Sequence, residues 1–231
     1  MSSAVTSKRT RAVEREVLVG SLRLPGNLTV PTDAHALVLF AHGSGSSRLS
    51  PRNRAVATAL NEQGIATLLF DLLTPEEEED RSNVFDIRLL ADRLIAAVDW
   101  IDVQSELARL PLGMFGASTG AAAALVAAAK LRTRVGAVVS RGGRPDLAGA
   151  VLDHVAAPTL LVVGELDDVV IELNEQAYAR LHVEKALEIV PGASHLFPEP
   201  GALERVIELA ANWFRSHLVS RHARAETHHP A

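Results

Sequence analysis

An α/β fold, built on a mainly parallel twisted sheet with helices on both faces, is what this 231-residue sequence predicts. Two observations carry that expectation. Short apolar runs rich in Val, Ile and Leu alternate with longer segments of helical period, and the runs lack the polar alternation of a strand with one wet face. With 48% hydrophobic residues the chain can bury a substantial core, and its length and lack of internal repeats fit one domain.

The elements follow in order. Residues 16–24 alternate as a strand does, and 26–30 can return beside them as a hairpin, giving an N-terminal antiparallel edge. Strands are then expected at 36–41, 66–70, 112–116, 135–140, 159–163 and 186–190. Helices are expected at 53–63, 84–100, 119–130, 174–181 and 202–218. In the second helix Val84, Ile87, Leu90, Leu94, Val98 and Ile101 form an inward stripe, with Ser82 and Asn83 ahead of it as caps. The acidic run Glu76 to Asp80 reads as a solvated loop leading towards a helix N-terminus. Residues 121–129 are apolar on every side and should form a central buried helix. Only about eighteen residues separate Ser140 from Thr159, too few for a cap domain, so any site above the sheet should be open. Residues 1–15 and 219–231 read as flexible tails around a domain at 16–218.

Composition narrows the chemistry. A formal charge of -5 gives no general reason to bind nucleic acid or an anionic membrane surface, and no window approaches a membrane span. The absence of cysteine excludes disulfides and thiolate metal sites. The opening residues carry Lys8, Arg9, Arg11 and Arg15 without the apolar core of a secretory signal, so a cytoplasmic location is expected. His222, His228 and His229 have no partners at ligand spacing, so neither a metal nor a cofactor is expected.

One stretch points to a reaction. Gly116-Ala117-Ser118-Thr119-Gly120 stands between a strand candidate and the all-apolar helix. This is the pattern of a turn so tight that only residues with little or no side chain fit two positions before and after its apical serine, and glycines fill both. Such a turn lifts the serine hydroxyl to the carboxyl end of the sheet and aims the Thr119 N–H at the same point. A serine needs a base, and the base needs an orienting acid. Glu165, Asp167 and Asp168 follow one strand candidate, and His195 follows the next, so the chain order is Ser, Asp, His with all three at strand carboxyl ends. Asp167 is favoured among the carboxylates. A second backbone donor for an oxyanion is expected from Ser44 in His42-Gly43-Ser44-Gly45, a loop that matches neither phosphate-binding glycine pattern. His42 reads as structural, immediately before Gly43 at the end of a buried strand. Arg141 and Arg48 are candidates to hold a substrate anion, with Arg144 and Arg52 sharing that ambiguity, and Asp146 or the loop itself is a competing partner for Arg141 and Arg144.

Together these features resemble the α/β-hydrolase superfamily, and within it the small, lidless dienelactone-hydrolase-like branch, over about residues 16–218. The resemblance implies Ser118 as nucleophile, His195 as general base and Asp167 as orienting acid, the last within a G-x-x-D-x-x-V pattern from Gly164 to Val170. Dienelactone hydrolase itself uses a cysteine nucleophile, and this chain has none, so the lactone substrate does not follow from the fold. The expectation is a cofactor-independent serine hydrolase of small carboxylic esters, extending to thioesters or lactones. Its alternatives are an acyltransferase or perhydrolase using the same acyl-enzyme, and a noncatalytic binding module. A homodimer is left open.

Overall fold

The computed structural model of the protein describes residues 12–219. Eight strands form one sheet in the order β1-β2-β4-β3-β5-β6-β7-β8. β1 (Ala12–Val19) and β2 (Leu24–Pro31) make the antiparallel edge hairpin, and β2 also runs antiparallel to β4 (Ile65–Phe70). The remaining pairings are parallel, through β3 (Ala36–Ala41), β5 (Leu112–Ala117), β6 (Val135–Arg141), β7 (Thr159–Gly164) and β8 (Lys185–Val190). From β3 the chain crosses to β4 on one side, then returns to place β5 on the other. The loops leaving β3 and β5 therefore diverge, and a crevice opens at the carboxyl ends of these two central strands.

The described residues include six α-helices, all but the short second one packed on the sheet. They are α1 (Pro51–Asn61), α2 (Pro75–Glu79), α3 (Ile87–Asp102), α4 (Thr119–Leu131), α5 (Asp168–Arg180) and α6 (Ala202–Phe214). The period-two alternation of the central strands divides the core into two halves. Leu37, Leu39, Met114 and Leu161 face α3 and α4, while Val38, Phe40, Phe115 and Val162 face α1 and α6. Removing each fully buried large aliphatic or aromatic side chain from water contributes about 1.5–3 kcal/mol. α4 is buried from Thr119 to Ala129, as its unbroken run of small apolar residues dictates, and it packs directly behind the crevice. Between β6 and β7 lies only a short 3-10 segment, Pro145–His154, so no cap covers the sheet edge.

Several local expectations are corrected. β1 begins at Ala12, because Ala12 to Arg15 already pair with the strand from Leu28 to Pro31, so these residues are not part of a tail. Leu24 opens β2 rather than closing β1, since a turn closed by Arg23 N–H donating to the Gly20 carbonyl at 3.1 Å precedes it. The acidic run is not a loop. Thr74 accepts from the Glu77 N–H at 3.2 Å, Glu77 accepts from the Thr74 N–H at 3.0 Å, and Pro75 occupies the first turn, a full capping box that starts α2. The cap of α3 is Asp86, which accepts from the Leu89 N–H at 3.0 Å, and Asn83 and Val84 lie instead in a separate 3-10 turn. α5 starts at Asp168, six residues before the expected 174, and α6 passes at Arg215 into a π turn. Lys8, Arg9, Arg11, His222, His228 and His229 lie outside the described residues. Among the described residues no helix is long and apolar enough to cross a membrane.

Candidate active site

Ser118 occupies the apex between β5 and α4 with φ 51° and ψ -122°. A non-glycine residue there is strained, and such strain persists only where surrounding packing imposes it. The packing is visible in the two flanking glycines. A Cβ on Gly116 would stand 2.4 Å from Ala121 Cα, and one on Gly120 would stand 2.3 Å from the Ala41 carbonyl oxygen and 2.5 Å from that of His42. Strand, turn and helix are thus pressed together where β5 meets β3. Gly120→Ala is expected to destabilise the fold by about 3 kcal/mol or more, because the obstructing atoms are backbone and cannot swing aside. Chemical denaturation measures it, and an unshifted midpoint would contradict the close approach.

The His195 and Asp167 loops leave adjacent strands and are tied to one another through backbone. Glu165 N–H donates to the Val190 carbonyl at 3.0 Å and Leu166 N–H to the Ala193 carbonyl at 2.9 Å. This clamp brings His195 Nδ1 to 2.6 Å from Asp167 Oδ2. The other two carboxylates take different roles: Glu165 Oε2 accepts the Gly192 N–H at 2.7 Å, and Asp168 is exposed in the first turn of α5. The His195 side chain is 37% exposed and that of Asp167 17%, so the acid is shielded while the imidazole edge stays open to solvent. Ser118 is half-buried, and its hydroxyl makes no capping bond to α4.

Thr119 stands at the positive N-terminal end of α4, and its backbone N–H is one of the unpaired donors of that first turn. The Ser44 N–H, the expected second donor, is donated to Thr119 Oγ1 at 3.0 Å. The sequence did not reveal this clamp. It fastens the loop after β3 to the elbow through the side chain of Thr119.

His42 is a brace, as expected. Its Nδ1 is 3.0 Å from the Gly43 carbonyl, and its Nε2 accepts the Leu72 N–H at 3.1 Å, which fixes one neutral tautomer. Burial pushes its pKa below the usual histidine range, against weaker opposing effects led by the Gly43 hydrogen bond. Both ring nitrogens are committed, so His42 offers no free base.

The arginines separate clearly. Arg48 is not available to a substrate as expected, because its Nη1 pairs with Asp71 Oδ2 at 2.5 Å, its Nε donates to Asn27 Oδ1 at 3.2 Å, and its N–H donates to Asp71 Oδ1 at 2.8 Å. Arg144 is held in a fork by Asp146 at 2.9 and 2.8 Å. The Arg141 guanidinium has no hydrogen-bond or ion-pair partner among the described residues, although the residue is only 6% exposed. A cleft of about 740 Å³ opens from the His42–Ser44 loop and is walled by Leu49, Arg52, Leu73 and Phe85. It adjoins the elbow, since a Cβ on Gly43 would stand 3.0 Å from Ser118 Cβ.

Residues 34–210 match the family model described as an alpha/beta hydrolase domain. The dienelactone hydrolase of Anabaena variabilis ATCC 29413 is 55% identical, with a TM-score of 0.86 over 91% of this chain and 99% of that one. Est1E from Butyrivibrio proteoclasticus shares the fold at 18% identity, with a TM-score of 0.75 over 89% of this chain and 99% of its own. A Mycobacterium tuberculosis (strain ATCC 25618 / H37Rv) protein, named provisionally as a phosphoribosyl transferase, is 60% identical over 208 residues, which make up 90% of this chain and 47% of that protein. This chain therefore spans about half the length of that relative.

Proposed function

The chain belongs to the alpha/beta hydrolase domain family, and from that premise we propose that it is a serine hydrolase cleaving small carboxylic esters, with thioesters and lactones in reach of the same chemistry. The observation that carries this reading is the strained Ser118 on the same sheet edge as a His195–Asp167 hydrogen bond of 2.6 Å. Ser118 Oγ attacks the ester carbonyl while His195 Nε2 takes its proton. Asp167 accepts the Nδ1–H, which holds the imidazole in the required tautomer and stabilises the imidazolium that forms. Negative charge developing on the carbonyl oxygen is met by the Thr119 N–H at the N-terminus of α4. The Ser44 N–H joins it when the substrate oxygen competes with Thr119 Oγ1 for that donor.

His195 then protonates the departing alkoxide, leaving an acyl group on Ser118. Water at the exposed imidazole edge loses a proton to Nε2 as its oxygen bonds to the acyl carbon; the carbon–Oγ bond to Ser118 then breaks, Oγ takes the proton back from Nε2, and the acid leaves. The open rim favours water as the acceptor, since His195 is 37% exposed and no cap domain closes the edge. The transferase name of the M. tuberculosis relative attaches to a protein of which this chain spans about half, and no step here depends on it.

Incubation with a fluorophosphonate, followed by mass spectrometry of the digested protein, tests the assignment. Stoichiometric modification is expected on the peptide containing Ser118. A folded sample that turns over no ester and takes no label would overturn it.

A further inference from the structure

Two arginines stand beside this site with no carboxylate to satisfy them. Arg141 ends β6, and its carbonyl accepts the Ser118 N–H at 3.2 Å, so its guanidinium is within one side-chain length of the elbow. Ala137 and Val139, four and two residues earlier, point into the half of the core beneath α1 and α6, and the period of the strand sends Arg141 to that side as well. There its guanidinium carbon lies 5.9 Å from the ring centre of Phe197, two residues beyond His195. Arg52 stands in the first turn of α1, the helix that covers this same side of the sheet, and lines the same cleft as Ser44.

Both Nε atoms are buried without an acceptor. Burial foremost, and the positive charge of Arg52 in addition, push the Arg141 pKa down to about 10. The first turn of α1 has no acidic residue, so Arg52 also faces the positive end of the helix dipole unaided. By contrast Arg48, Arg93, Arg134, Arg144 and Arg180 each hold a carboxylate. Glu78 and Arg81 face the cleft from its other wall, both exposed and opposite in charge.

Leaving a nine-tenths buried guanidinium unpaired beside a second cation is unfavourable unless an anion completes the group. We propose that Arg141 and Arg52 form an anion subsite beside the nucleophile that takes a phosphate group carried by the ester substrate. Phosphate is preferred over carboxylate by charge. A phosphate monoester carries nearly two negative charges at neutral pH, matching two guanidinium groups, and its oxygens accept forked arginine hydrogen bonds. This inference rests on the serine-hydrolase reading for the word substrate, and on the arginine geometry alone for the anion.

Isothermal titration of inorganic phosphate into the wild-type protein, Arg141→Gln and Arg52→Gln, with acetate as the comparison anion, tests it without any turnover. Wild-type protein should bind phosphate at least about 10-fold more tightly than acetate, and each variant should lose at least about 10-fold of the phosphate affinity. Arg52 is only half-buried, so Arg52→Gln keeps the test decisive if Arg141→Gln misfolds. With 4-nitrophenyl acyl esters, the preference in kcat/KM for a phosphate-bearing acyl chain over a neutral one should fall roughly 30-fold in Arg141→Gln. No phosphate binding, equal binding of acetate, or affinity unchanged in both variants would overturn the subsite. A labelled Ser118 in a protein that ignores phosphate sinks this inference alone, whereas phosphate binding without labelling sinks the hydrolase reading and leaves the anion site standing.

Discussion

Ser118→Ala is expected to lower kcat for a short-chain 4-nitrophenyl ester by about 10⁴- to 10⁶-fold, because the nucleophile of a triad acts as part of a unit and its loss removes the acyl-enzyme route entirely. The residual rate would come from the Thr119 N–H and substrate positioning alone. Stability should barely change. The Ser118 hydroxyl caps nothing in α4, so its removal leaves no broken capping bond. Alanine at the same position has the same Cβ and therefore the same strain at φ 51°. A lost rate in a protein of wild-type melting temperature therefore isolates chemistry from folding. Activity within about tenfold of wild type would mean that the ester is cleaved elsewhere, and Ser118 would be only the apex of a tight turn.

The central strands were legible because they are short, continuous in Val, Ile and Leu, and bounded by turn residues, so burial on both faces writes them directly into the sequence. α4 was legible for the same reason, with Gly116 and Gly120 adding a steric requirement that the backbone contacts at 2.3 and 2.4 Å express. The misread elements share a different cause. At Thr74 and Asp86 the decisive signal is a single side chain reciprocating with a backbone N–H, and a run of glutamates conceals the first of these caps while the apolar stripe overshoots the second. The candidate site divides likewise. Ser118, Asp167 and His195 follow from chain order, since each comes at the end of a strand. The arginines do not, because Arg48 is taken up by Asp71 and Asn27, which reach it from other strands or their ends, whereas no carboxylate among the described residues reaches Arg141. A cation in the first turn of α1 without an acidic neighbour was the one sign in the sequence that Arg52 stands unpaired.

Asp167→Asn is expected to lower kcat by roughly 10⁴-fold, as the equivalent change does in serine hydrolases generally, with little change in KM. The cause lies in proton placement. Asp167 Oδ2 can only accept from His195 Nδ1, at 2.6 Å, so the proton sits on Nδ1 and Nε2 keeps the lone pair that the proposed mechanism requires of it. An asparagine amide donates instead, driving the imidazole into the opposite tautomer, whose Nε2–H cannot take the serine proton. Neither neighbouring carboxylate is poised to replace it, since Glu165 is engaged by the Gly192 N–H and Asp168 is exposed on α5. Asp167 makes no side-chain capping bond to α5, so the substitution should leave that helix intact. The rate of fluorophosphonate labelling should fall in parallel with kcat, because both need a base to activate the same hydroxyl. If turnover and labelling in Asp167→Asn both stay near wild type, while Glu165→Gln or Asp168→Asn abolishes them, the acid lies one or two residues away on the same loop. If labelling persists and turnover alone is lost, the aspartate acts after acylation, by holding His195 where it activates the incoming water.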